Sequence, residues 1–216
     1  MRKMSITTMV LGQSGTGKST SLRNMSADNT LLIQAIQKPL PFRNDWKSVK
    51  DAGNILVTHN AQSICAAMNK TSRDVIVIDD LQYILAQQFM ERAHEVGYSK
   101  FTEMAKDYYD VLMAAVNLPN NKRVYLLSHT DTAESGQVKA KTIGKLLDEK
   151  ITVEGLVTIV LRTHVINGQY LFSTKNSGQD TVKTPIGLFD AEFIENDLLA
   201  VDKAITEYYK LDNQQS

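Results

Sequence analysis

Short apolar runs alternate along the chain with longer stretches whose apolar residues recur every three or four positions. The runs at 6–11, 31–35, 55–58, 75–79 and 124–128 are rich in Val, Ile, Leu and Thr and are bounded by polar or turn-forming residues, which predicts buried β-strands. Helical periodicity covers 18–26, 61–69, 81–96, 101–117 and 191–209. Within 81–96, Leu81, Ile84, Leu85, Phe89, Ala93 and Val96 fall along one side, as a core-facing helix requires. Strand and helix in turn predict an α/β fold with a mostly parallel sheet flanked by helices. The pattern then changes. Residues 158–174 read as two strands around Asn167-Gly168, a pair suited to the positive φ angles of a type I′ turn, so a C-terminal β-hairpin is expected. Residues 131–144 hold Gly136 and Gly144 and no convincing apolar period. They are expected to form a long connection without secondary structure, which in a compact domain usually serves a function.

Length and composition narrow this little further. The 216 residues suffice for one sizeable core, so a single domain over 1–210 with a frayed polar tail at 211–216 is expected. Lys plus Arg and Asp plus Glu are both 24, so net charge selects no partner and local charge has to. The single cysteine, Cys65, cannot form an intrachain disulfide, which fits a reducing cytoplasm; its place in 61–69 predicts a small buried residue. No apolar run approaches membrane-spanning length. The basic start, Met1-Arg2-Lys3-Met4, leads into a strand and a glycine loop and not into a cleavage site, so no secretion signal is expected.

The chemistry begins after the first strand. Gly12, Gln13, Ser14, Gly15, Thr16, Gly17, Lys18 and Ser19, followed by Thr20, fit G-x-x-x-x-G-K-[ST], the phosphate-binding loop, between a predicted strand and a predicted helix. Glycines let backbone N–H groups curl around phosphate oxygens, and a helix N-terminus adds partial positive charge. Lys18 is expected to reach the β- and γ-phosphates of ATP and Ser19 to ligate Mg²⁺. The run Val75-Ile76-Val77-Ile78-Asp79-Asp80 places two acids at the C-terminal edge of a buried strand, where open α/β sheets bind ligands. Asp79 is the candidate metal residue. Asp80 has two readings: it orients or deprotonates the attacking water, or it caps the following helix. Neither 31–37 nor 55–60 contains an acid that would take the base's place. A third buried strand ends in Ser128-His129, with His129 the first and Ser128 the second candidate to sense the γ-phosphate. Lys139, Lys141 and Lys145 follow without an acid among them, suited to a nucleic-acid backbone, to a neighbouring subunit's ATP, or to plain solvation.

These segments resemble the phage-encoded RecA-core ATPases, the phage nucleotide-binding or AAA-family proteins that include single-strand annealing proteins. The resemblance runs over roughly 7–209. It rests on the loop through Thr20, on Lys38-Pro39-Leu40-Pro41-Phe42, on Val77-Ile78-Asp79-Asp80, on Ser128-His129, on Lys141-Thr142-Ile143-Gly144-Lys145 and on Lys183-Thr184-Pro185. It implies a RecA-like P-loop NTPase core, binding of ATP and Mg²⁺ through Gly15, Gly17, Lys18, Ser19 and Asp79, and a role in phage recombination on single-stranded DNA in the bacterial host cytoplasm. The partners it leaves open are further copies of the chain, as a ring or short filament, and a phage single-strand-binding protein. Two other functions use the same loop: a small-molecule or nucleotide kinase, and a helicase-loader or packaging accessory ATPase. Kinases usually add an arginine-rich lid, whereas the nearest arginine after Ser128 is Arg162.

Overall fold

The computed structural model describes residues 4–211; the basic start before Met4 and the tail from 212 lie outside the described residues. In chain order the strands are β1 (Ile6–Leu11), β2 (Thr30–Gln34), β3 (Ile55–Val57), β4 (Val75–Asp79), β5 (Arg123–Ser128), β6 (Thr130–Thr132), β7 (Val138–Ala140), β8 (Ile159–Ile166), β9 (Gln169–Ser173) and β10 (Phe193–Glu195). The α-helices are α1 (Ala61–Lys70), α2 (Tyr83–Glu91), α3 (Ser99–Val116) and α4 (Leu198–Tyr209). Eight strands form one sheet in the order β10-β9-β8-β1-β5-β4-β2-β3, while β6 and β7 pair apart from it. Pairing is parallel from β8 across to β3 and antiparallel at β8–β9 and β9–β10. β5 thus lies between the strand that leads into the glycine loop and the strand that ends in the two acids, and all three finish at one edge.

Alternation along the strands divides the core between the two faces. Met9, Leu11, Ile76, Ile78, Val124 and Leu126 meet α1, α2 and α3; Val10, Val77, Tyr125 and Leu127 meet α4 and the turn after the glycine loop. α4 is also tied down by charge. Arg123, on β5, donates from Nε and Nη2 to the two oxygens of Asp202 at 3.0 and 3.1 Å, and Tyr125 donates its hydroxyl to the same carboxylate at 2.6 Å. All three side chains are buried. Asp202→Ala leaves the Arg123 charge buried without its partner, so it is expected to cost about 3–5 kcal/mol. Urea denaturation of the two proteins checks this; an unchanged midpoint would show that Arg123 finds other solvation. Among the described residues no helix is long and apolar enough to cross a membrane.

Several boundaries differ from the sequence expectation. The helix expected at 18–26 is a single 3₁₀ segment, Ser19–Asn24, and Met25 is already extended. Ser19, Thr20 and Ser21 are poor helix formers, and Ser21 Oγ bonds the Lys18 carbonyl at 2.6 Å. The helix expected at 81–96 stops at Glu91, leaving Val96 exposed. There the Lys100 ammonium ties back the Arg92 and Glu95 carbonyls at 3.0 and 2.8 Å, and Gly97 turns the chain at φ 101°. The segment 191–197 is not helical. Phe193–Glu195 pairs with β9 instead, and α4 starts after Asp197, whose carboxylate caps Leu199 N. Residues 131–144 are not without secondary structure, since they carry the rest of β6 and all of β7. Remote partners order them: Glu154 Oε1 accepts from Ala140 N at 2.6 Å, and Val138 N donates to the Gln179 carbonyl at 2.8 Å. The C-terminal hairpin matches expectation, with Asn167 and Gly168 both at positive φ. Cys65 is half-buried against the core.

Candidate functional site

The glycine loop leaves β1 at the sheet edge and is held there from beneath. Gly12 N donates to the Ser128 carbonyl at 3.1 Å, joining the loop to the end of β5. A Cβ on Gly12 would lie 1.8 Å from Thr163 Oγ1 and 2.8 Å from Thr16 Oγ1, so any other residue here would displace both hydroxyls. Gly15 and Gly17 take φ of 77° and 99°, the left-handed region that glycine occupies without strain. Thr16 Oγ1 bonds the Gln13 carbonyl at 2.7 Å and Thr163 Oγ1 at 2.6 Å, fixing the curl of the loop to β8. Gln13, Ser14 and Gly15 face solvent at its crest.

Lys18 folds back under this loop. Its Nζ donates to the carbonyls of Gly12 and Gln13, both at 2.9 Å, and the side chain is buried. Burial pushes its pKa down to about 8, against the pull of Asp80 and Asp79. Ser19 Oγ lies 2.9 Å from both carboxylate oxygens of Asp79. Asp79 is 1% exposed, and burial, reinforced by the Asp80 charge, holds its pKa above the ordinary carboxylate value. A buried carboxylate in that condition favours a cation beside it. Among the described residues no three acids, histidines or cysteines cluster to hold a metal. One serine hydroxyl and one aspartate fit Mg²⁺, which keeps several waters and takes its remaining oxygens from phosphates.

Asp80 sits at φ 59°, a left-handed conformation that aspartate tolerates better than most residues. Its carboxylate does not cap α2: Gln82 occupies the cap position, without a side-chain cap bond. Instead one oxygen is ion-paired with Lys38, and Oδ1 lies 3.4 Å from His129 Nε2 without a full hydrogen bond. Burial alone would raise the Asp80 pKa, but His129 and Lys38 outweigh it and hold the group ionised below the ordinary value. His129 is positioned by Gln82, whose Oε1 accepts its backbone N–H at 3.1 Å, and by Tyr83, whose ring meets the imidazole edge-on. Ser128 is fully buried and turned toward Gln82 at 3.3 Å. The acids, Lys18, Ser19 and His129 therefore share one sheet edge, and a cavity of about 190 Å³ is lined by the loop, Lys38, Asp80, His129 and Tyr170.

The three lysines after β5 divide. Lys141 is exposed, its N–H bonds the His129 carbonyl at 2.8 Å, and it lines a second cavity of about 390 Å³ beside His129 and Ser14. Lys145 is exposed on the following turn. Lys139 spends its ammonium on the Asp148 carbonyl at 3.0 Å.

Four residues of this region have no role in the sequence reading: Lys38, Gln82, Tyr170 and Asn196. Lys38 stood in a noted segment, and its place just past the end of β2 was a usable signal. Tyr170 and Asn196 had none, because only the sheet order, with β9 and β10 lying beyond β8 on the same side of β1, brings them to the loop. A scan against protein-family models gives no match, and a search of curated proteins finds no relative.

Proposed function

We propose that this chain is a RecA-like P-loop NTPase that binds Mg²⁺-ATP on Gly12–Thr20 and couples its hydrolysis to single-stranded DNA, as in the phage recombination ATPases its motifs resemble. The observation that carries the nucleotide reading is the meeting of Lys18, Ser19, Asp80 and His129 around one cavity, with Asp79 buried directly behind Ser19. In this reading Lys18 leaves the Gly12 and Gln13 carbonyls for the β- and γ-phosphates, and the loop N–H groups take the remaining oxygens. Ser19 and Asp79 would hold Mg²⁺, which when bound neutralises charge growing on the phosphates. Asp80, ionised and lining the cavity, accepts a proton from the attacking water, and His129, 3.4 Å from that carboxylate, contacts the γ-phosphate.

The DNA part is supported by Lys141 and Lys145, exposed one short hairpin away from His129. Because Lys141 N–H holds the His129 carbonyl, a shift at the histidine moves the lysine backbone directly. The kinase reading is favoured by one feature, the cavity of about 390 Å³ beside His129, large enough for a small phosphoryl acceptor. Phosphate release from ATP, measured with and without single-stranded DNA, separates the two. Stimulation by DNA supports the first; turnover that requires a metabolite or nucleotide acceptor supports the second.

A salt titration tests the lysines. If Lys139 and Lys141 contact DNA phosphates, log affinity falls with log salt by about 0.7 per contact, and replacing both lowers the slope by about 1.4 for every sequence alike. Lys139 already has an internal partner, so most of the change is expected from Lys141. Fluorescence titration of a labelled oligonucleotide at several salt concentrations reads this directly. An unchanged slope would move the DNA site off this hairpin.

A further inference from the structure

The phosphate cavity is flanked by one cavity at each end. At the His129 end it shares Ser14 and His129 with the cavity that holds Gln82 and Lys141. At the other end it shares Thr20 and Tyr170 with a cavity of about 480 Å³ whose further lining includes Arg23, Gln169, Glu195 and Asn196. A nucleotide laid on the loop has a direction. Lys18, Asp79, Asp80 and His129 mark the end where the γ-phosphate belongs, and the loop runs on through Thr20 toward the opposite end. The nucleoside must leave on that side.

From this, and resting on the phosphate-loop reading above, we infer that the cavity between Thr20 and the β9–β10 edge is the nucleoside subsite, with the base stacked on Tyr170 and the sugar over Arg23 and Asn196. Tyr170 is half-exposed, although its ring edge is pressed on the loop: a Cβ on Gly17 would lie 2.9 Å from Tyr170 Cδ1. The ring therefore stands at the boundary of the phosphate and nucleoside cavities with part of its surface open. The floor is built from paired side chains. Arg23 Nη2 bonds Glu195 Oε1 at 2.8 Å and its Nη1 bonds the Asn196 carbonyl, so the guanidinium is fixed in place. Asn196 is 1% exposed, yet neither its amide oxygen nor its amide nitrogen has a hydrogen-bond partner. Buried amides are rarely left so, and this one lies against Gly17 at the mouth of the cavity, where a ribose hydroxyl or base edge would supply what it lacks.

The test compares ATP with inorganic tripolyphosphate, both with Mg²⁺, by calorimetric titration of wild type, Tyr170→Ala, Tyr170→Ile and Tyr170→Phe. Tripolyphosphate reads the loop alone, and the margin of ATP over it reads the nucleoside subsite. Wild type is expected to prefer ATP by tenfold or more. Alanine substitution of a stacking aromatic typically costs about five- to a hundredfold, so Tyr170→Ala should lose most of that margin, read as the ratio of the two affinities within the same variant. Tyr170→Ile, a strand-compatible residue without a ring face, should behave likewise, and Tyr170→Phe should restore the margin. A wild-type protein that binds the two ligands equally, or Ala and Ile variants that keep the full preference for ATP, would overturn the subsite and leave the phosphate loop standing. Binding of neither ligand by wild type would overturn both.

Discussion

Lys18→Ala is expected to weaken Mg²⁺-ATP binding about a hundredfold and to abolish measurable turnover, while the protein stays folded. The Lys18 ammonium sits inside the curl of the loop, within 2.9 Å of two loop carbonyls. Charge-assisted contacts of one ammonium to two phosphates contribute about 3 kcal/mol together, which is the hundredfold. Stability should fall modestly. Alanine removes a buried charge whose pKa is already depressed to about 8 and frees the Gln13 carbonyl at the exposed crest of the loop, while the buried Gly12 carbonyl loses its donor at a cost of about 1–3 kcal/mol. Thermal melting and nucleotide titration of the same preparation check both halves. Wild-type affinity in a folded variant would remove the loop as the phosphate site.

The second large effect separates the adjacent acids. Asp79→Asn keeps the hydrogen-bonding shape beside Ser19 and removes the negative charge, so the gain in ATP affinity on adding Mg²⁺ should shrink about tenfold or more. Asp80→Asn should leave ATP binding within about threefold and lower kcat by about 10²–10⁴, since a proton acceptor acts on the water and not on the bound ground state. Its cost to the fold is limited because Lys38, its partner, is partly exposed and can turn to solvent. Steady-state turnover and binding measured across Mg²⁺ concentrations distinguish the two variants. A normal kcat in Asp80→Asn would place the proton acceptor elsewhere and reduce Asp80 to a turn residue held by Lys38.

The parts of this site that were legible in the sequence are those encoded locally. The glycine loop, the acids after Val75-Ile76-Val77-Ile78 and the polar end of the Val124 strand each combine a buried run with its own terminus, so strand and chemistry are read together. The Asn167-Gly168 turn is equally local. What was not legible depends on partners far along the chain. β6 and β7 form because Glu154 and the Gln179 carbonyl hold them, and β10 exists only because β9 offers an edge. The turn after the loop is 3₁₀ because Ser21 bonds back to Lys18, a competition that a periodicity count does not see. Tyr170 and Asn196 reach the loop through strand order alone. The cap alternative for Asp80 was a fair local reading, and it fails because the left-handed turn at that residue aims the carboxylate at Lys38 and His129.

The central claim is that Lys18, Ser19 and Asp79 form a Mg²⁺-nucleoside triphosphate site. Calorimetric titration of the wild-type chain with ATP, run with Mg²⁺ and again with excess chelator, tests it most directly. The expected result is saturable binding of one ATP per chain that weakens at least tenfold when the metal is removed. Absence of binding in both titrations, or binding indifferent to Mg²⁺, would contradict it.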